Sequence, residues 1–195
     1  GAEPIAGYVG NIRRSTAEMQ QLIDGLLAFS KSGFREPQRA WFSMHHFKED
    51  LVASLTQEIH KTEALIEIGP MPEALYADRQ LALQMFQNVL LNSLKYVPAG
   101  VSPRVQVTAT KVTDGRVSFE FTDNGIGVPA KFAEDVFEPL RRLHGPDSPY
   151  QGIGLGLALV RTIARSHGGD AFIDQYWSKG LHLVLTLDGQ NEPHI

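Results

Sequence analysis

FTDNGIGVP, residues 121–129, reads as a strand that stops on a carboxylate. Two glycines, Gly125 and Gly127, follow Asp123, and Pro129 closes the segment. Glycine lets the backbone take positive φ and approach a ligand closely. A buried Asp at a strand end is a good acceptor for an exocyclic amine. Alone, the pattern also fits a tight turn with a capping Asp. A second stretch, QGIGLGLALV at residues 151–160, places Gly152, Gly154 and Gly156 directly before an amphipathic helix. Backbone N–H groups at such a helix start face an anion, and the helix dipole favours phosphate. No GK[ST] follows, so this is not a Walker loop, and no strand closely precedes it, so it is not a dinucleotide fingerprint in context.

Outward from these segments the pattern is α/β. Strands are expected at Arg39–Met44, Ala64–Ile68, Ala74–Ala77, Arg104–Val112, Arg116–Thr122, Ala171–Tyr176 and Leu181–Leu187, with a hairpin at Thr113-Asp-Gly. Helices are expected at Phe47–Ile59, from an Asp78 N-cap to about Tyr96, and from about Leu155 to His167, where Gly168-Gly169 signals the stop. Upstream, residues 5–30 read as one long helix with Ile5, Tyr8, Ile12, Met19, Leu22, Leu26 and Phe29 on a heptad seam broken at Ser15. Val9, Ile23 and Leu27 widen the stripe toward a bundle face. Gly33 and Pro37 end it. A lone helix cannot bury such a stripe; a second helix, a second subunit or the following domain must cover it.

Asn88-Val-Leu-Leu-Asn-Ser-Leu-Lys-Tyr lies on the helix that Asp78 caps. Asn88, Asn92, Lys95 and Tyr96 share one face of it, at i, i+4, i+7 and i+8. Amides and a Lys on an otherwise apolar helix are costly to bury without partners. A Mg²⁺-nucleotide would partner them, and a solvated polar face would satisfy them as well.

Composition narrows the class. The chain has 195 residues, 43% of them hydrophobic and 21% charged, with net charge −4 and no cysteine. Disulfides and thiolate metal sites are therefore excluded. No basic run suggests nucleic acid, and no apolar stretch reaches the roughly 20 residues of a membrane span. The expectation is a cytoplasmic segment, without membrane contact of its own, of a parent that is soluble or membrane-anchored.

Taken together, NVLLNSLKY, DNGIGVP, VFEPLRRL at residues 136–143 and GIGLGL resemble the asparagine box, first glycine box, phenylalanine box and second glycine box of the sensor histidine kinase ATP-binding domain, in that order. That domain lies within the wider superfamily of gyrase, heat-shock chaperone and mismatch-repair ATPases. The resemblance covers about residues 38–188 and implies a two-layer α/β sandwich, a mixed sheet with helices on one face. It implies ATP and Mg²⁺ as cofactors. By resemblance, Asp123 meets the adenine amino group, while Gly125 and Gly127 close on the base. Asn92 ligates Mg²⁺ with Asn88 beside it at the phosphates. Lys95 and Arg142 face the terminal phosphates, Tyr96 packs near the nucleotide, and Gly152, Gly154, Leu155 and Gly156 line the triphosphate.

Hydrolysing relatives resemble one another in carrying Glu where this chain has Asn88. An amide cannot take a proton as a general base does. The resemblance therefore implies transfer of the γ-phosphate to a protein histidine and onward to a response regulator receiver domain. Asn88, Lys95 and Arg142 are the candidate catalytic residues. Residues 1–33 resemble the second helix of a dimerisation hairpin, implying a homodimer through that helix in the intact protein; 189–195 is a tail. None of the seven histidines fits the acceptor pattern, so the first hairpin helix is missing here and the chain is not expected to label itself. The family's Thr in the closing strand is replaced by Gly180-Leu-His182-Leu, which leaves the contact from that position open, and Leu140 replaces a second aromatic. The continuation RLHG, residues 142–145, resembles kinases of phytochrome-like sensors. Two other readings remain: a nucleotide-binding scaffold without transfer, and an ATP-hydrolysing clamp. The segment Glu138–Gln151 is expected to be a lid ordered by nucleotide.

Overall fold

The computed structural model describes residues 35–111, 115–143, 148, 150 and 152–189, with positions 9, 16, 19, 20, 23, 25–27 and 30 nearer the N-terminus. Strands β1 (Ala40–Ser43) and β3 (Ala74–Ala77) form an antiparallel pair. The main sheet has the order β2-β4-β5-β7-β6, formed by β2 (Leu65–Ile68), β4 (Arg104–Lys111), β5 (Arg116–Asp123), β7 (His182–Asp188) and β6 (Asp170–Ile173). β2 runs parallel to β4 and every other pairing is antiparallel, so the sheet is mixed as expected.

Period-two alternation decides which face is covered. On β5, Val117, Phe119, Phe121 and Asp123 point into the core while Arg116, Ser118, Glu120 and Thr122 point away. Three helices cover that inner face: α1 (Met44–Thr62), α2 (Arg79–Lys95) and α3 (Gly156–Ser166). α2 packs between the other two. Phe86 of α2 is the hinge of the core, with its ring 5.2 Å from Phe47 of α1 and 5.0 and 5.1 Å from Phe119 and Phe121 of β5. All three contacts are edge-to-face, the arrangement aromatic quadrupoles favour.

Local chemistry explains the boundaries. Asp78 caps α2 as its sequence position predicts, accepting from the N–H groups of Gln80 and Leu81. α1 begins three residues before the expected Phe47 and ends three after Ile59, because Met44 is buried with Phe47, Leu51 and Leu55, and Glu63 stops the helix in a left-handed conformation at φ 53°. β6 ends at Ile173, short of the expected Tyr176, because Asp174 turns the chain: its carboxylate accepts from the Tyr176 N–H at 2.9 Å. Gly168, at φ +75°, ends α3, and a Cβ on the next residue, Gly169, would lie 1.8 Å from the Thr186 carbonyl oxygen.

The described positions of the upstream segment are helical. Val9, Met19, Ile23, Leu26 and Leu27 are all exposed there. The rest of its heptad seam, Ile5, Tyr8, Ile12, Ser15, Leu22 and Phe29, lies outside the described residues, as do the stop at Gly33, the hairpin at 113–114 and the tail beyond 189.

Candidate functional site

A cavity of about 350 Å³ opens between α2, α3 and the 126–154 region. That is within the range of small-molecule sites. Asn88, Asn92, Lys95 and Tyr96 all line it, so one face of α2 points into the pocket as the i, i+4, i+7, i+8 spacing requires. Asp123, Gly127, Arg142, Gly152, Gly154, Leu155 and Gly156 join them. Gly125 does not line the cavity. It is a packing residue, because a Cβ there would lie 2.4 Å from the Tyr96 carbonyl oxygen.

Asp123 sits at the cavity floor because it ends the inward column of β5. One oxygen, Oδ1, accepts from the Gly125 N–H at 2.9 Å and the Leu181 N–H at 2.8 Å. Burial raises its carboxyl above the usual range, and these two N–H bonds together with the Ser93 hydroxyl offset only part of that. Gly180 must be glycine here: its φ is +116° and a Cβ would lie 2.0 Å from the Asp123 carbonyl oxygen.

The other end of the cavity is cationic. Lys95 is half-buried, and both burial and the Arg142 charge lower its pKa. A Cβ on Gly152 would lie 2.5 Å from Lys95 Nζ, and a Cβ on Gly156 3.0 Å from Asn88 Oδ1 and 3.5 Å from Asn92 Nδ2. The glycine loop thus comes down onto the polar face of α2. Asn88 Nδ2 donates to the Gln84 carbonyl at 2.8 Å. Gly154 has φ +77°, and a Cβ on it would lie 2.4 Å from the Arg141 carbonyl oxygen. The Leu140 N–H donates to the Gly154 carbonyl, which ties the loop to the segment after Phe137. On the far rim, the Tyr150 hydroxyl donates to the Val97 carbonyl at 2.9 Å and its ring lies 5.4 Å from that of Tyr96. Residues 144–147, 149 and 151 of the expected lid lie outside the described residues.

Two features escaped the sequence. His182 does not face the cavity. It points to the opposite side of the sheet, between Asp174 at 3.1 Å and Glu120 at 3.2 Å, and Leu181 takes the place on the pocket wall. Neighbouring residues of an extended chain point to opposite faces, so only one of Leu181 and His182 can face the pocket. The upstream helix also touches the site: Gly25 lines the cavity, and a Cβ on it would lie 3.2 Å from both Ile153 and Leu155. Among the described residues no cluster of three or more His, Asp or Glu side chains could hold a metal, and no helix is long and apolar enough to cross a membrane.

Residues 77–191 match the family described as histidine kinase-, DNA gyrase B- and HSP90-like ATPase. The chain belongs to that family. It is 33% identical over 169 residues to the phytochrome-like protein Cph1 of Synechocystis, covering 87% of this chain and 22% of that protein. It is 32% identical over 185 residues to the adaptive-response sensory kinase SasA of Microcystis aeruginosa, covering 90% of this chain and 46% of that protein. The chain therefore spans under half the length of these relatives. Solved structures of the same fold include full-length ShkA in complex with AMPPNP (TM-score 0.74, 23% identity, 95% of this chain and 39% of that one). Another is the histidine kinase ThkA in complex with the response regulator protein TrrA (TM-score 0.71, 18% identity, 97% of this chain and 53% of that one). The fold and family expected from the four boxes are those found.

Proposed function

We propose that this chain is the ATP-binding catalytic portion of a two-component sensor histidine kinase, which hands the γ-phosphate of ATP to a histidine on a dimerisation helix. The observation that carries this reading is the polarity of the pocket. Its one carboxylate among the described lining residues, Asp123, is held at the floor by two N–H groups, while Lys95, Arg141, Arg142, Asn88 and Asn92, of the α2 face and the segment after Phe137, are cationic or neutral and stand among apolar walls such as Val136, Ile153 and Leu157. Such a site attracts phosphate and offers no base to activate water. The nucleophile must then come from outside: an imidazole nitrogen bonds to the γ-phosphorus, the bond to the bridging oxygen breaks, and ADP leaves with that electron pair.

In this reading Asp123 accepts from the adenine amine, and Gly152, Gly154 and Gly156 admit the triphosphate. Lys95 and Arg142 answer its charge. Asn92, with Asn88 beside it, offers an amide oxygen of the hard type that Mg²⁺ takes; bound there, the ion would neutralise phosphate charge. Residues 1–33 serve as the second hairpin helix, 38–188 as the catalytic domain and 189–195 as a tail. The exposed Met19, Ile23, Leu26 and Leu27 are what a homodimer interface in the intact protein would cover. A response regulator receiver domain is the expected next acceptor, supported by the ThkA–TrrA complex and by the sensory kinases among the relatives.

Binding of a fluorescent ATP analogue with and without Mg²⁺ tests the site. Asn92→Ala and Asp123→Ala should each lose at least tenfold, since a charge-assisted hydrogen bond contributes about 1.5–3 kcal/mol. Unchanged binding in both variants would sink the assignment. Phosphate should pass to a separately supplied acceptor hairpin but not to the chain alone. An acid-labile phosphate on the isolated chain would contradict the reading, and steady-state ATP turnover would favour the clamp.

A further inference from the structure

We propose that Arg161 of α3 is a positioning residue for the phosphate end of the pocket: its guanidinium pins the segment 134–142 and so sets where Arg142 stands. This rests on the reading that Arg142 answers the terminal phosphates. Arg161 does not line the cavity and so acts through other groups. Its side chain is only 13% exposed. Nη1 donates to Glu134 Oε2 at 2.7 Å, with Nη2 3.4 Å from the other Glu134 oxygen, and Nε donates to Asp170 Oδ1 at 3.0 Å. The guanidinium carbon lies 4.2 Å from the centroid of the Phe137 ring. One planar group thus holds both sides of the turn Asp135–Phe137 and ties them to the start of β6. A delocalised fork that stacks on a ring suits this task; an ammonium does not. The Glu134 carboxylate is 72% exposed, and a pair so open to solvent is a weak source of stability. Its consequence is geometric.

From that pin the chain runs to the pocket as linked turns. The Phe137 N–H donates to the Glu134 carbonyl, the Glu138 N–H to the Asp135 carbonyl and the Arg141 N–H to the Glu138 carbonyl. The Arg141 side chain adds a brace to Asp135 at 2.9 Å. Near the far end, the Leu140 N–H donates to the Gly154 carbonyl at 2.9 Å, with Leu140 itself at φ 64°. A non-glycine residue stays in that left-handed region only where its surroundings hold it there. The segment is therefore fixed to α3 at Arg161 and to the glycine loop at Gly154. It delivers Val136, Arg141 and Arg142 to the cavity wall. Without Arg161, its first half keeps the packing of Phe137 but loses its polar anchor.

ADP and ATP share the base, the ribose and two phosphates, and differ in the terminal one. A residue that places Arg142 should therefore matter to ATP and little to ADP. A residue that merely firms the domain would matter to both alike.

The test titrates ribose-labelled fluorescent ADP and a non-hydrolysable ATP analogue, each with Mg²⁺, into the parent, Arg161→Ala, Arg161→Lys, Glu134→Ala, Arg142→Ala and the double variant Arg161→Ala/Arg142→Ala. Arg161→Ala should weaken the ATP analogue about three- to tenfold, the worth of one hydrogen bond, and ADP by less than about twofold. The ratio of the two affinities falls accordingly. Arg161→Lys keeps a charge over the ring and one carboxylate contact, so its ratio should lie between those of Ala and the parent. In the Arg142→Ala background the Arg161 change should do nothing further, because the group it places is gone. Glu134→Ala alters an exposed side chain and should lower the ratio in the same direction; it decides the matter where thermal melts show Arg161→Ala unfolded. An unaltered ratio, equal losses for the two nucleotides, or full additivity with Arg142→Ala overturns the proposal. If Arg142→Ala itself keeps the parent ratio, the phosphate-end reading falls and this proposal with it. If Arg142→Ala lowers the ratio while the Arg161 and Glu134 variants keep it, only the role of Arg161 falls.

Discussion

Replacing Asp78 should divide the stability of this domain into parts that can be measured one by one. Its carboxylate is 3% exposed and joins three segments. Oδ1 accepts from the Gln80 and Leu81 N–H groups, both at 3.1 Å. Oδ2 accepts from the Gln38 N–H at 2.8 Å and from Arg35 at 2.8 Å. In Asp78→Ala the helix cap is lost, about 1 kcal/mol. The Gln38 N–H loses its partner, about 1–3 kcal/mol. The Arg35 pair adds less than about 1 kcal/mol, because that side chain is 35% exposed and screened by solvent. The total is about 2–5 kcal/mol, or a fall in Tm of roughly 4–20 °C for a domain of this size. Asp78→Asn keeps the capping oxygen and loses only the second set, about 1–4 kcal/mol and about 1 kcal/mol less than Asp78→Ala. Urea unfolding at pH 7.5, with the slope checked for constancy, reads both. A loss below about 1 kcal/mol in Asp78→Ala, or equal losses in the two variants, would refute the reasoning.

Stability should also fall on mild acidification. Burial holds the His167 pKa below its ordinary value, against the bond to the Ile163 carbonyl, and Nε2 accepts from the Asp78 N–H at 3.0 Å. A depressed histidine stabilises fully above its unfolded pKa of about 6.5 and loses that contribution as pH drops below it. His167→Gln should flatten the urea midpoint between pH 7.5 and 5; an unchanged slope would remove His167 as the cause. Asp123, raised by burial, acts with the opposite sign at lower pH, so the His167 comparison is read in the upper window. Gly154→Ala should weaken ATP-analogue binding at least tenfold and cost the domain about 1–3 kcal/mol, since φ is +77° there and the clash is with the backbone carbonyl of Arg141. Trypsin cleavage after Arg141 and Arg142 should slow when an ATP analogue with Mg²⁺ is present, and equal rates with and without it would argue against a nucleotide-ordered lid.

The parts of this molecule that were legible in the sequence are local. The Asp78 cap, the glycines around Asp123 and the polar face of α2 each follow from spacings shorter than one element, and those spacings put Asn88, Asn92, Lys95 and Tyr96 into one pocket. What escaped depends on distant pairing. Asp78 meets His167 across 89 positions and Gln38 across 40, and no periodicity encodes either contact. The sequence left the pocket contact of Gly180-Leu-His182-Leu open because the phase of β7 is set by its register with β5, where His182 pairs with Thr122, an outward residue. Gly25, the helix position that lies against Ile153 and Leu155, is not on the apolar stripe that the spacing shows.

α2 and α3 each have one end in the cavity and the other at the buried polar node formed by Asp78 and His167. α2 runs from that node to Lys95, 17 residues or about 25 Å. α3 returns from Gly156 to Ser166, whose carbonyl accepts from Arg39 at 2.7 Å. Sites so far apart with no shared partner normally act independently. Asp78→Asn should therefore lower stability while changing ATP-analogue affinity less than about twofold, Gly154→Ala should lower affinity at least tenfold, and the double variant should show the sum of the two stability losses and the affinity loss of Gly154→Ala alone. A tenfold affinity loss in Asp78→Asn would break that independence. It would mean that the segment through Arg35 and Gln38, which leads back to the upstream helix, reaches the nucleotide pocket along two rigid helices.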